Sequence, residues 1–446
     1  MKHFLVSIMT LAALGGMVAT AQPMRLTMDE AMRLAIRNNR DLQMAHLDVE
    51  KSDYKVTEAI GNALPNISAS GQYSRAIKKM VYFLPDFSDL SSGRILPVEI
   101  GADNSLQGGF SATQILFNSA VFTGVGTAKI YQKASRELYR SAYNSTIANV
   151  KRAYSGVLFV QRVLDMTRAS LKNAEDNYKS IEIRNKQGIV SDYDLIRAEV
   201  QVANVRPMVL QRERDVVAAL NGLKILLGMD PSREVIVTGD LEFQPVDAGI
   251  LETAERTATD NNATIRALQL QAQVNKEMIS IYRSEYLPTL AAFGNYTWQA
   301  QKNDFRLSSS DFVQSSSIGL SLSINLFSGF QSNARVNQAS VDYRKSEEQL
   351  NLVRDATISR VQTIRIRLEE ARQRIDVQKR SVEQAEKGYK IAVTRYESGS
   401  GTQLEVNDAD VALMTARVNR VQAIYDYAVA AADLEETLSL LQPETE

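Results

Sequence analysis

Four stretches of this chain alternate apolar and polar residues with a period of two. Ile67, Ala69, Gly71 and Tyr73 alternate with Asn66, Ser68, Ser70, Gln72 and Ser74. Leu290, Ala292, Gly294, Tyr296 and Trp298 alternate with Thr289, Ala291, Phe293, Asn295 and Thr297. The cleanest run sets Ile318, Leu320, Leu322, Ile324 and Leu326 against Ser317, Gly319, Ser321, Ser323 and Asn325, and a noisier one runs from Leu106 to Phe117. The pattern predicts strands with two unlike faces over about 66–77, 105–117, 289–301 and 314–327. Each is close to the ~9 to 11 residues that carry a tilted strand across a bilayer. A soluble sandwich alternates in the same way, but a polar face of Ser, Asn, Gln and Thr suits a wet lumen better than a sheet covered by helices. Tyr73, Tyr296 and Trp298, toward the far ends of their strands, stand where an interfacial aromatic girdle would. Four strands enclose no lumen, so strands that span a membrane here require several chains to share one barrel.

Between the strands the period becomes helical. Little interrupts a helix from Phe117 to Gly188, or from Phe327 to Gly399. About 70 helical residues extend roughly 105 Å, too long for one compact core. Val361, Ile364, Leu368, Ala371, Ile375, Gln378, Val382, Ala385, Tyr389, Ala392 and Tyr396 follow steps of three and four, a coiled-coil seam with Gln378 its one polar amide. Leu404, Asn407, Val411, Met414, Val418, Val421, Tyr425, Ala428 and Ala432 predict the seam of the returning helix. Leu195, Ala198, Val202, Val205, Val209, Arg212, Val216, Ala219, Leu223 and Leu226 do so for the earlier pair, in which Pro207 is expected to bend the helix locally. The pairs turn at Gly188-Ile189-Val190-Ser191 and Gly399-Ser400-Gly401-Thr402, where each first glycine suits a left-handed cap and Ser191 or Thr402 can cap the next helix.

These elements occur twice. Asn38-Asn39, Leu64-Pro65 and the strand at 66–73 return as Asn261-Asn262, Leu287-Pro288 and 289–296 at an offset of about 223 residues. Leu116-Phe117-Asn118 returns as Leu326-Phe327-Ser328, and Tyr178 with Gly188 as Tyr389 with Gly399, at an offset of about 210. The difference lies in a longer loop in the first copy, 78–104, which contains Tyr82, Phe83 and Phe87 and reads as a variable exposed loop or as a partial cover of an outer mouth.

Composition narrows the function. Lys and Arg total 51 against 52 Asp and Glu, so no electrostatic footprint for nucleic acid is present. Cysteine is absent, and His46 is the one histidine beyond the N-terminus, which argues against thiolate or typical zinc sites and His-dependent triads. Neither an enzyme nor a metal or cofactor site is expected. Residues 1–21 read as a secretory signal: Lys2 and His3, an apolar Phe4 to Val18, and a small-residue Ala19-Thr20-Ala21. The apolar run is shorter than the ~20 residues of a spanning helix. The predicted division is then a first repeat at 22–228, a connector at 229–250, a second repeat at 251–437 and a tail at 438–446.

Two copies of helix, strand, strand, long helix and returning helix behind a signal resemble the TolC-like outer-membrane efflux proteins. The resemblance covers almost the whole mature chain. It rests on the Leu-Pro pairs before the strands, Leu116-Phe117-Asn118 and Leu326-Phe327-Ser328-Gly329 after them, and the turns Gly188 to Leu195 and Gly399 to Val406. It implies a mainly α fold with β: long antiparallel coiled-coil helices forming an α-barrel tunnel, plus a transmembrane β-barrel built from four strands per chain in a trimer. It further implies an outer-membrane location in a Gram-negative bacterium, a helical tunnel across the periplasm, and a periplasmic adaptor and inner-membrane transporter as partners, with the turn residues 188–191 and 399–402 at the tips they meet.

By the same resemblance Glu405 and Asp408 match the two acidic positions that ring the periplasmic entrance. Read by themselves they are a solvated helix start favoured by the helix dipole. They continue into a small and polar stripe through Ala412, Thr415, Asn419, Gln422 and Asp426. Tyr396 and Asp194 match a tyrosine–aspartate latch, while the family's gate arginine falls on Gly401 and its hydroxyl partner on Tyr193, so that second latch contact does not carry over. A trimeric coiled-coil adhesin or spacer with a β anchor is the competing reading. The duplicated hairpins disfavour it, since a stalk needs no return to the membrane.

Overall fold

The computed structural model describes residues 24–88, 91, 93–306 and 308–443; the expected signal at 1–21 lies outside them. In chain order the elements are β1 (Met24–Leu26), α1 (Met28–Asn38), α2 (Arg40–Gly61), β2 (Asn66–Arg75), β3 (Met80–Pro85), β4 (Ile95–Ile100), β5 (Asn104–Phe117), α3 (Ser119–Lys186), α4 (Asp192–Leu226), β6 (Val235–Val237), α5 (Ala248–Asn261), α6 (Ala263–Arg283), β7 (Thr289–Lys302), β8 (Val313–Ser323), α7 (Gln331–Glu397) and α8 (Gln403–Leu438). Two compact units cut across the sequence repeat. One draws on 24–43, Tyr143–Thr253 and Val361–Glu436; the other on Met44–Ala142, Ala254–Arg360 and 437–443.

The second unit holds a four-stranded antiparallel sheet in the order β2-β5-β7-β8. Its register puts Ser68 opposite Ser111, Ser111 opposite Asn295, and Asn295 opposite Ser317. The four polar alternations therefore share one face, tied by hydroxyl pairs Ser68–Ser111 at 2.7 Å and Thr297–Ser315 at 2.6 Å. The opposite face carries Ile67, Phe110, Tyr296, Ile318 and Leu320, with Ile318 91% exposed. Tyr73 and Trp298 lie on this apolar face toward the end remote from the helices, and Tyr296 lies on it near mid-strand, opposite Phe110. Trp298 contacts Phe110 with ring centres 5.7 Å apart, and its ring occupies space that a side chain at Gly108 would fill.

Strand ends differ from expectation. β8 stops at Ser323, not 327, because its partner β7 begins at Thr289, directly opposite, and Ile324 to Phe327 have no strand to pair with. β2 likewise ends at Arg75, opposite the first residue of β5. The loop at 78–104 is not irregular: Met80–Pro85 and Ile95–Ile100 form an antiparallel hairpin rich in β-branched and aromatic residues. The connector at 229–250 contributes β6, paired parallel with β1, and its last residues already belong to α5. α8 runs one residue into the predicted tail.

The other unit's core gathers Leu26, Ala31, Ala35, Val150, Tyr154, Val157, Leu223, Leu227, Val235 and Val237. Tyr154, held at its hydroxyl by the Leu26 carbonyl at 3.0 Å, spans the two-stranded sheet. The seam of α7 is as predicted: Val361, Ile364, Leu368, Ala371, Ile375, Val382 and Ala392 are buried and the intervening seam residues half-buried. That of α4 holds too, and the helix continues through Pro207. On α8 the seam is displaced. Gln403, Val406, Leu413, Ala416, Ala423, Ile424 and Tyr427 are buried, while Leu404 is 43% and Val411 57% exposed.

The duplicated asparagines have one structural job. Asn39 caps α2 by accepting from Leu42 N at 2.9 Å and donates from Nδ2 to the Leu226 carbonyl at 2.8 Å. Asn262 caps α6 by accepting from Ile265 N at 3.0 Å and donates to the Thr437 carbonyl at 2.8 Å. In each copy the short helix is thus tied to the end of the returning one.

Candidate functional site

The two helical turns are built on one plan. α3 and α7 end on left-handed glycines, Gly188 at φ +74° and Gly399 at φ +75°. The amides of Ile189 and Ser400 reach back to the carbonyls of Arg184 and Arg395 at 2.9 and 2.8 Å, closing the last helical turn. Ser191 Oγ then accepts from the Asp194 amide at 3.2 Å, and Thr402 Oγ1 from the Glu405 amide at 3.3 Å. The order follows from chemistry: a residue without a Cβ reverses the chain, and a hydroxyl satisfies an amide that the new helix leaves unpaired.

The carboxylates that follow differ. Asp194 Oδ2 accepts from the Ser191 hydroxyl at 2.7 Å, so it is used within its own cap. Glu405, in the equivalent place of the second copy, lies 3.6 Å from the Arg395 guanidinium, which also donates to the Ser400 carbonyl at 3.1 Å. Asp408, one turn on, is exposed and has no hydrogen-bond or ion-pair partner among the described residues. Ala412, Thr415 and Asn419 continue its face exposed, and Gln422 and Asp426 half-buried, with Asp426 paired to Arg374 at 2.7 Å.

The hydrogen bond expected between Tyr396 and Asp194 is not made. The Tyr396 hydroxyl is buried without a hydrogen-bond partner among the described residues. Burial, with the Asp194 charge adding to it, raises its pKa above the ordinary value. The ring instead carries the Arg184 guanidinium, 5.7 Å from its centre. Tyr193 is exposed, and no arginine can replace Gly401 without rearrangement. A Cβ there would stand 3.0 Å from Arg395 Cβ and 3.1 Å from both Glu405 Oε2 and the Tyr396 amide nitrogen.

Three residues at the turns escaped the sequence reading: Arg184, Asn185 and Arg395. Asn185 staples the first turn, donating to the Val190 carbonyl at 3.2 Å and to Asp192 at 2.9 Å. The signal was present in the sequence, since both arginines occupy the last turn of a long helix, where the dipole favours cations, at the same distance before the glycine. Above the turns, polar ties join the helices. Asp410 accepts from Ser170 at 2.9 Å and Asn173 at 3.3 Å. Arg417 bonds Glu386 at 2.7 Å and holds that carboxyl below its usual pKa. Tyr389 is pushed up by burial, with Asp410 contributing. Among the described residues no His, Asp or Glu cluster is arranged to hold a metal, and no helix is long and apolar enough to cross a membrane.

A family model described as "Outer membrane efflux protein" matches residues 31–229 and 256–439. "Outer membrane protein TolC" of Vibrio cholerae is 20% identical over 337 residues, covering 75% of this chain and 77% of that one. Its namesake from Escherichia coli is 20% identical over 417 residues, covering 91% and 80%. Among solved structures, the Campylobacter jejuni CmeC outer membrane channel superposes with a TM-score of 0.75 at 18% identity, over 92% of this chain and 85% of that one. The outer membrane protein VceC from Vibrio cholerae gives 0.75 at 17% identity, over 92% and 96%. At such identities the structural likeness speaks to the fold.

Proposed function

This chain belongs to the outer membrane efflux protein family, and from that premise we propose that three copies assemble into one channel, gated at its helical turns by the second repeat. It is an outer-membrane channel of Gram-negative bacteria, of the efflux or secretion type, and not an enzyme. The observation that carries the trimer is the sheet order β2-β5-β7-β8, which leaves β2 and β8 as edges within one chain. Unpaired edges do not persist in hydrocarbon, and four strands have no interior. Pairing β2 of one copy with β8 of the next removes both problems, and three copies supply 12 strands.

In such a ring the shared polar face lines the lumen and the apolar face, with Tyr73, Tyr296 and Trp298, meets outer-membrane lipid. Glu405 and Asp408 of three chains converge at the periplasmic entrance, where like charges attract cations and oppose each other's ionisation. Residues 188–191 and 399–402 form the tips that a periplasmic adaptor engages, and an inner-membrane transporter completes the pump. Native mass measurement of the detergent-purified protein, followed by planar-bilayer conductance, tests the reading. A trimer with cation-selective conductance is expected. A trimer that conducts nothing supports a passive anchor or adhesin instead.

A further inference from the structure

The β3–β4 hairpin presents a problem that one chain does not solve. Its register pairs Met80 with Ile100, Tyr82 with Val98 and Leu84 with Leu96, so one face is apolar throughout. The other carries Val81, Phe83, Pro85, Ile95, Pro97 and Glu99. Among the described residues it pairs with no other strand, and the side chains are largely open to solvent, Tyr82 at 46% and Phe83 at 73% exposed. A lone two-stranded ribbon is marginal in water, and a contiguous apolar face of this kind marks an interaction surface.

Its position indicates what covers it. The hairpin rises from β2 and β5 at the end of the sheet opposite the helices, and β2 is the free edge at which the next copy would pair. Lipid tails are a poor occupant. β2 already supplies 10 residues and β8 11, close to the ~9 to 11 a tilted span requires. The ion pairs Lys79–Asp103 at 3.0 Å and Lys302–Asp311 at 2.9 Å mark a wet level below the hairpin. Lys79 also donates to Asn303 at 3.0 Å, anchoring the hairpin base to the β7–β8 connection. Residues 76–103 carry Lys78, Lys79 and Arg94 against Asp86, Asp89, Glu99 and Asp103, a near-balance that lets copies approach without repulsion. Pro85 and Pro97 remove backbone donors and so blunt the ribbon against strand addition, which favours contact through its faces.

We propose that the β3–β4 hairpin is an interface between copies of this chain at the outer end of the barrel, the Met80, Tyr82 and Val98 face packing against the same hairpin of neighbouring chains. The inference rests on the trimer reading. Since the chain has no cysteine, single cysteines report cleanly. Tyr82→Cys and Glu99→Cys variants, confirmed as trimers by native mass, are treated with a short bis-maleimide. On intact cells they are labelled with a membrane-impermeant maleimide. Expected are cross-linked dimers on denaturing gels for Tyr82→Cys but not Glu99→Cys, the single thiol of the third chain being left without a partner, and labelling of Tyr82→Cys at least tenfold slower than of Glu99→Cys. A trimer in which Tyr82→Cys labels freely and does not cross-link overturns the inference. So does one in which both positions cross-link equally, or in which Tyr82→Cys is protected without cross-linking, the result expected of a lipid or lipopolysaccharide cover. A monomer by native mass overturns the trimer reading itself.

Discussion

The Arg395 guanidinium lies 3.6 Å from the Glu405 carboxylate, beside Gly401, whose missing side chain leaves room for both. In the proposed entrance this contact sets how much acidic charge is free. Glu405 is partly compensated by its own chain, and Asp408 is not. Removing the arginine, as in Arg395→Ala, should strengthen multivalent-cation block of single channels at low salt. The pair is more than a third exposed, so the gain is about two- to fivefold, the worth of a solvent-screened ion pair of up to ~1 kcal/mol. Asp408→Asn should weaken block, and Glu405→Ala with Asp408→Ala should abolish it along with cation preference. Planar-bilayer recordings decide, and unchanged selectivity in the double variant would sink the acidic ring.

Gly401→Arg supplies the arginine that the family resemblance implies at this turn, where no room is left for its Cβ. Its Cβ would press on Arg395, Glu405 and the Tyr396 backbone together. The variant should lower the melting temperature and disturb the Arg395–Glu405 pair, not create a tighter closed state. Thermal melts read beside bilayer conductance check this; a stabilised, more tightly closed channel would contradict it.

Tyr396→Phe should leave conductance and drug susceptibility unchanged. Its hydroxyl is buried with no hydrogen-bond partner among the described residues, so deleting it removes a desolvated polar group, a neutral or slightly stabilising change of about 1 kcal/mol or less. Arg184→Ala, which strips the cation from the ring face, is the informative comparison. If Tyr396→Phe alone opened the channel, a latch through the hydroxyl would operate after all.

The seams of α4 and α7 were legible because one stripe on each is apolar over many heptads. α8 was not, for a physical reason. It carries two apolar stripes, one through Val406, Leu413 and Tyr427 that its own chain buries, and one through Leu404 and Val411 that the chain leaves open. A helix with neighbours on two sides needs both, and periodicity does not say which neighbour belongs to the same chain. The hairpin at 80–100 was obscured by Pro85 and Pro97, which read as loop residues although each fits an exposed edge. The turn glycines and caps were readable because their roles are local. The Arg395–Glu405 contact was not, since it depends on how the reversed chain brings residues ten apart together.

Asp240 gives a pH signature outside the membrane. The Arg162 side chain, 2.9 Å away at Nε, holds its carboxyl below the ordinary 3.8. A depressed folded-state pKa contributes stability that is present above the unfolded value and lost as pH falls through the folded one. Arg162→Met should therefore cost up to ~1 kcal/mol at neutral pH, given the exposure of the pair, and flatten the decline in melting temperature below about pH 4. An unchanged acid limb would mean that the pair is not held in solution.

The matched asparagines allow the repeat to be tested as mechanics. Asn39 and Asn262 each accept one helix-start amide and donate to one carbonyl at the end of the returning helix, Leu226 or Thr437. Alanine at either position loses the cap and strands that carbonyl, at a cost of about 1–3 kcal/mol. Serine keeps an oxygen that accepts from the helix-start amide and is too short to reach the carbonyl, so it loses only the tie. Asn39→Ser and Asn262→Ser should accordingly recover part of what the alanine variants lose, and by similar amounts in the two copies. Because the two sites share no partner, the double alanine variant should fall by the sum of the single effects. Melting temperatures of all five variants in one detergent measure this, and a double variant no worse than either single one would show that the two ties do not act independently.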